Sequence, residues 1–281
     1  MSRADRLFKE TCQDIIDNGV STEGQIVRAH WEDDGAPAYT KKCFGVVHHY
    51  DLRKEFPVIT LRKTALKSAM DEILWIYQKN SSNIKDLNSH IWDQWADELG
   101  SIGTVYGYQI GEEFTYKGER INQINYVRKL LREEPMSRRI MTNMYQYHNL
   151  ATGHLDPCAY SMTYNVTIDK SGRYVLNAIL NQRSQDMLAA NGWNVAQYAL
   201  LMMMLAQEAG MVAGELVHVI ADCHIYDRHI SIVKELLKRE EYPAPTVRLN
   251  PKVENFYDFT VNDLIVENYQ YGEQVKFPVA I

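Results

Sequence analysis

The sequence has no apolar run long enough to cross a bilayer. Its longest, VAQYALLMMMLA at 195–206, is broken by Gln197 and reads as a buried, methionine-rich helix. A secretory leader is also missing. MSRADRLFKETCQDIIDNG has no apolar core of the signal-peptide kind and reads as an amphipathic helix, so a cytoplasmic location is expected. Cysteine is sparse: Cys12, Cys43, Cys158 and Cys223 show neither close pairing nor CxxC spacing. Free thiols in a reducing compartment are therefore expected, with no disulfide framework and no metal site. Positive charge is not in excess, since 30 basic against 36 acidic residues leave −6. That balance argues against a general affinity for nucleic acid or anionic membrane, so any bound anion must be met by a local cluster. No repeat, low-complexity tract or Pro/Gly/Ser linker divides the chain, and one continuous domain over 1–281 is expected.

What is present is enough apolar residue, 46%, for a sizeable core. Strand-like alternation marks KCFGVVHHYDL, SMTYNVTID and RYVLNAILNQRS, the last two joined by a KSG hairpin turn. Helical spacing marks TALKSAMDEILWIYQK, NQINYVRKLLREE, WNVAQYALLMMMLAQEAG and HIYDRHISIVKELLKREE. Strands and helices that do not alternate regularly predict an α+β fold.

Several polar residues stand out against this background. In LDPCAYS, Cys158 follows directly on Pro157, either as a small buried hydrophobe or as a nucleophile at a strand edge. Glu72 has Ala69, Trp75 and Ile76 as helical neighbours, which puts its carboxylate on an apolar face. Such an acid is either paired with a core arginine or has a raised pKa in a cleft. NQRSQD closes a predicted strand with Gln182, Ser184 and Asp186 on one face and Arg183 on the other, unless a turn follows Ser184. Arg183 and Ser184 are good donors to a phosphate. Arg138 and Arg139 form a second cationic pair. In ADCHIYDRH, the spacing of Asp222, His224 and His229 fits no common metal-ligand pair. His224 and Tyr226 share a face if that piece is extended, which suits a sugar hydroxyl.

Taken in order, EILW, IWDQWADELG, VYGYQ, SRR, PC, QRSQD, GWNVAQYA and DCHIY are distinctive. From about residue 50 to Ile281 the chain resembles the thymidylate synthases, the folate-dependent family that methylates deoxyuridylate. The resemblance implies a large mixed sheet that forms a homodimer interface and is covered by helices on its other face. It implies 5,10-methylenetetrahydrofolate as co-substrate, no metal, no membrane partner and no nucleic acid required for catalysis. Cys158 would be the thiolate that adds to uracil carbon 6, with Arg183 lowering its pKa. Glu72 would be the acid acting through ordered water, and Tyr106 the tyrosine near proton abstraction. Gln182, Arg183, Ser184 and Asn194 would bind the nucleotide, His224 and Tyr226 its deoxyribose hydroxyl. Asp186, Trp92, Trp95, Ala190 and the tail residues Ala280 and Ile281 would hold the folate, the tail closing as a lid. Arg138 and Arg139 would reach the partner subunit's phosphate.

The chain departs from the usual pattern in places. The loop DDGAPAYTKK has no phosphate arginine, leaving Arg28, Lys41 or Lys42 to substitute, or three arginines alone. Ala159 follows the cysteine, Gly192 and Trp193 precede Asn194, Ala190 stands for a glycine, and Ile281 ends the chain. The alternative within the same fold is a deoxyuridylate hydroxymethylase. Outside it, a peptidase could use Cys158, His224 and Asn250, although no peptidase signature surrounds the cysteine.

Overall fold

A computed structural model describes residues 2–281, and its architecture is built on one mixed sheet. The opening segment forms α1 (Arg3–Asn18), where the Ser2 hydroxyl caps the first turn by accepting from Asp5 N. Its apolar stripe, Leu7, Phe8, Cys12 and Ile15, is buried. The chain continues through β1 (Val20–Ser21), β2 (Thr40–Asp51), α2 (Leu66–Tyr77) and the short α3 (Gly107–Gly111). The hairpin of β3 (Glu113–Tyr116) and β4 (Glu119–Asn122) leads to α4 (Gln123–Glu133). There follow β5 (Met141–Asn143), β6 (Ala159–Ile168), β7 (Tyr174–Asp186), α5 (Asn191–Glu208), β8 (Val212–Tyr226) and α6 (Ile230–Leu237). A small ladder of β9 (Thr246–Leu249) and β10 (Leu264–Glu267) closes the succession.

The main sheet has the order β1-β2-β8-β7-β6-β5. Its pairs are antiparallel except β7 with β8, which run parallel and need the crossover that α5 provides. This mixed, irregular order is the α+β fold the sequence predicts. Apolar all round, α5 is buried accordingly: it packs on β7 and β8 and against α2, with Ala199, Leu200, Met202 and Met204 fully enclosed. The opposite sheet face carries Val47, Ile179, Val217 and Val219 on neighbouring strands, with Val47 and Ile179 exposed. Among the described residues no helix is long and apolar enough to cross a membrane.

Three of the predicted helices are present as α2, α4 and α5, each trimmed or shifted by a few residues. The hairpin is present as β6 and β7, with Gly172 at φ +80° supplying the turn conformation that other residues rarely adopt. The helix predicted over 224–241 needs correction, because only Ile230–Leu237 is α-helical. His224, Ile225 and Tyr226 end β8, where ladder bonds to β7 and β2 override the helical spacing. Likewise β7 pairs without a turn as far as Asp186.

Candidate active site

Pro157 has no N–H to give a ladder, so β6 begins just beyond Cys158, and a register shift between Ala159 and Ser161 follows at once. Opposite lies Arg183 of β7, whose backbone N donates to Cys158 O at 2.9 Å. Its guanidinium donates to Pro157 O (3.0 Å) and Asp156 O (2.7 Å) and lies 3.8 Å from Cys158 Sγ. Tyr106 completes this corner, its hydroxyl accepting from Cys158 N at 3.3 Å. It does so from φ +50°, a left-handed conformation that is strained for a tyrosine. The next residue must be glycine, since a Cβ on Gly107 would lie 2.0 Å from Ser81 O.

Cys158 keeps part of its surface open, yet its sulfur is surrounded largely by protein. Burial pushes the thiol pKa up, and Arg183 first, then Arg28, offset part of that rise. Arg183 therefore acts in the expected direction, but desolvation is the larger effect. Arg28, on the loop between β1 and β2, also acts on Tyr226, so the loop without an arginine in its DDGAPA portion still delivers one to this corner. Lys42 instead pairs with Asp222, and Lys41 bonds the Ile16 carbonyl.

Glu72 on α2 is buried among aromatic rings. Trp92 Nε1 donates to its Oε1 at 2.8 Å and Trp193 Nε1 to its Oε2 at 2.6 Å. Among the described residues no cation pairs with it, so the core-arginine alternative does not hold. Burial raises its pKa to about 7, against the smaller lowering by the two indoles and the nearby Gln197 amide. A carboxyl poised near neutrality can both give and take a proton.

The remaining polar groups line β7, β8 and the start of α5. Gln182 Nε2 donates to Asn194 Oδ1 (3.2 Å) and to Ser184 O (3.0 Å). Asn194 Nδ2 donates to Gln197 Oε1 at 3.2 Å, leaving the Asn194 amide one spare donor and one spare acceptor. Asp186 Oδ1 accepts from the backbone of Leu188 and Ala189 at the turn into α5, where Ala190 is the N-cap. Its Oδ2 lies 3.7 Å from His229. His224 Nδ1 bonds Asp222 Oδ1 at 2.8 Å, and its ring packs edge-on to Tyr226 at 5.1 Å. Burial raises the Tyr226 pKa to about 12.

Trp92 forms an aromatic wall with Trp95 (5.4 Å) and Tyr106 (5.0 Å), a surface suited to a flat ring such as a pterin. The tail is docked: Ile281 and His30 exchange backbone bonds at 2.9 Å, Trp31 bridges Ala280, and His229 Nε2 donates to Pro278 O. Arg138 and Arg139 lie exposed on the turn before β5, with no side-chain hydrogen bond or ion pair among the described residues. The peptidase grouping is not assembled. Asn250 bonds Asp263 and Gln207 near the far end of α5, roughly 20 Å along that helix from Asn194. Sequence reasoning missed Trp193 and Gln197 as partners of this site. The signal for Gln197 was a polar residue within a buried apolar run, three positions after Asn194 on the same helix face.

Residues 6–281 match the family model described as thymidylate synthase. The chain is 39% identical to thymidylate synthase 1 of Bacillus subtilis (strain 168) over 285 residues, covering all of both chains. It is equally similar, 39% over the same span, to the thymidylate synthase of Bacillus phage phi3T. Its fold superposes on the thermostable thymidylate synthase A from Bacillus subtilis with a TM-score of 0.92 at 38% identity, covering 99% of each chain. With a thiol under an arginine, a near-neutral buried carboxyl and a full-length match in both sequence and structure, the chain belongs to the thymidylate synthase family.

Proposed function

We propose that this methyltransferase converts deoxyuridylate to thymidylate with 5,10-methylenetetrahydrofolate, acting as one catalytic domain over 1–281 in the cytoplasm. Cys158 Sγ adds to uracil carbon 6, which makes carbon 5 nucleophilic. Arg183 and Arg28 hold the phosphate and favour the thiolate that burial opposes. Bound phosphate takes up part of that positive charge, so the same arginines couple nucleotide binding to thiol reactivity. Asn194 reads the uracil edge with its spare donor and acceptor, and His224 and Tyr226 take the deoxyribose hydroxyl. Glu72 holds or releases the proton needed as charge develops on the ring, and Tyr106 assists loss of the carbon 5 proton. The folate, held by Asp186, Trp92, Trp95, Ala190, Ala280 and Ile281, supplies both the one-carbon unit and the hydride.

The convergence of Cys158, Arg183 and Tyr106 in one corner, in a chain that matches the family from end to end, carries this reading. Incubation with deoxyuridylate and methylenetetrahydrofolate, with the nucleotide identified by mass, tests it. A methylated nucleotide with equimolar dihydrofolate is expected. A hydroxymethyl product with tetrahydrofolate would overturn methyl transfer in favour of the hydroxymethylase reading.

The apolar sheet face and the free cations of Arg138 and Arg139 support a homodimer in which each chain lends both arginines to the partner subunit's phosphate site. Mixing Arg139→Ala protein with Cys158→Ser protein should then restore some activity through hybrid dimers, and no complementation would count against shared sites.

A further inference from the structure

Behind Asn194, on the side away from solvent, lies a set of buried polar groups that the reaction does not use directly. His218 on β8 is fully enclosed, and its Nε2 lies 2.8 Å from Gln182 Oε1. From there the amides follow in one direction: Gln182 Nε2 donates to Asn194 Oδ1, and Asn194 Nδ2 donates to Gln197 Oε1. Gln197 Nε2 is buried without a hydrogen-bond partner, and its side chain lies near the Glu72 carboxylate.

We infer that His218 is a positioning residue that fixes the direction of this amide chain, and thereby makes the site accept a uracil edge and reject cytosine. An amide oxygen can only accept, so Gln182 Oε1 requires a proton on His218 Nε2. The ring is neutral, because burial, with His48 adding to it, pushes its pKa down to about 3. It therefore carries one proton, and Nδ1, buried and unpartnered, is the nitrogen without it. The nearest ring is His48 at 6.3 Å, which is occupied by Thr11 Oγ1 and Tyr50 OH. Ser184 O, an acceptor only, holds Gln182 Nε2 in the same sense. With the His218 end set, Asn194 is left with its oxygen on the Gln182 side and its nitrogen on the Gln197 side. Uracil presents a donor at N3 and an acceptor at O4, and cytosine presents the reverse. Reversing the Asn194 amide would thus exchange one base for the other, and a site whose buried amides are polarised rejects the mismatched edge strongly.

The inference rests on the deoxyuridylate reading. Its test is the ratio of dissociation constants for deoxycytidylate and deoxyuridylate, by calorimetry, in unaltered protein, His218→Leu and His218→Gln. The leucine variant should lose about tenfold of the discrimination, the effect of one unmade buried hydrogen bond. The glutamine variant, which restores a donor, should keep most of it. A leucine variant that weakens both nucleotides equally, or leaves the ratio unchanged, overturns the inference. Nitrogen NMR of histidine-labelled unaltered protein gives a reading independent of any variant: Nε2–H at His218 supports the inference, and Nδ1–H overturns it. Unaltered protein that binds neither nucleotide would remove the underlying functional reading as well. Protein that makes thymidylate yet fails these tests would overturn the positioning role alone.

Discussion

The two ends of α5 deal with a buried carboxylate in opposite ways. At the C-terminal end Glu208 faces Arg128, whose Nε donates to Oε2 at 2.9 Å and whose guanidinium stacks on Tyr257 at 4.5 Å. Charge meets charge, and the result holds α4 and the 255–257 segment to the helix. Near the N-terminal end Glu72 receives two indole N–H groups and, among the described residues, no cation, and its pKa rises to about 7. An acid compensated by a full charge ties packed elements together and serves structure. An acid given only neutral donors stays convertible at neutral pH and can serve chemistry.

The sharpest way to break this contrast is at the Cys158 thiol. Cys158→Ser should lower turnover on the order of 10⁴-fold or more while leaving nucleotide binding and the melting temperature nearly unchanged. Retention of even a tenth of the activity would rule out the covalent route. Glu208→Ala should do the reverse. It strands Arg128 in the interior and should cost about 3–5 kcal/mol in denaturant unfolding, with activity per folded molecule little altered.

Glu72→Gln should reduce kcat by roughly 10²–10³-fold. It should also change how stability depends on pH. The folded-state pKa of Glu72 lies above its unfolded value, so its contribution is most favourable below about pH 4.5, falls as pH rises to about 7, and is flat beyond. Relative to the native protein, the glutamine variant should therefore gain stability between pH 5 and 7.5, by about 3 kcal/mol at most. Parallel stability curves would mean that Glu72 is already ionised at pH 5. The smallest effect is expected for Trp193→Phe. Loss of one donor to the charged form should move the near-neutral inflection of the pH–rate profile upward by about one unit. A downward shift would show that the indole is not stabilising the carboxylate.

Residues close in sequence were the most readable. The β6–β7 hairpin, α2 and α5 follow from period and turn chemistry, and an acid on an apolar helix face already marked Glu72 as either paired or perturbed. The end of β8 was misread as helix because HIYDRHISIVKELL has helical spacing throughout, while its first three residues are held by β2 and β7 on either side. Arg28 could be named only as one of three substitutes, since nothing local distinguishes it from Lys41 and Lys42.

By itself, then, the sequence determined the family, the order of elements and the residue types available for the chemistry, because these depend on local spacing and on the succession of motifs. Tertiary structure alone decided the partners. Glu72 meets Trp193, 121 positions away, rather than an arginine. Asn194 bonds Gln182 of β7 and Gln197 of its own helix, and the tail pairs with residues 30–32. Protonation states and hydrogen-bond directions are set by the groups that packing brings within about 3 Å, and no local pattern specifies which those are.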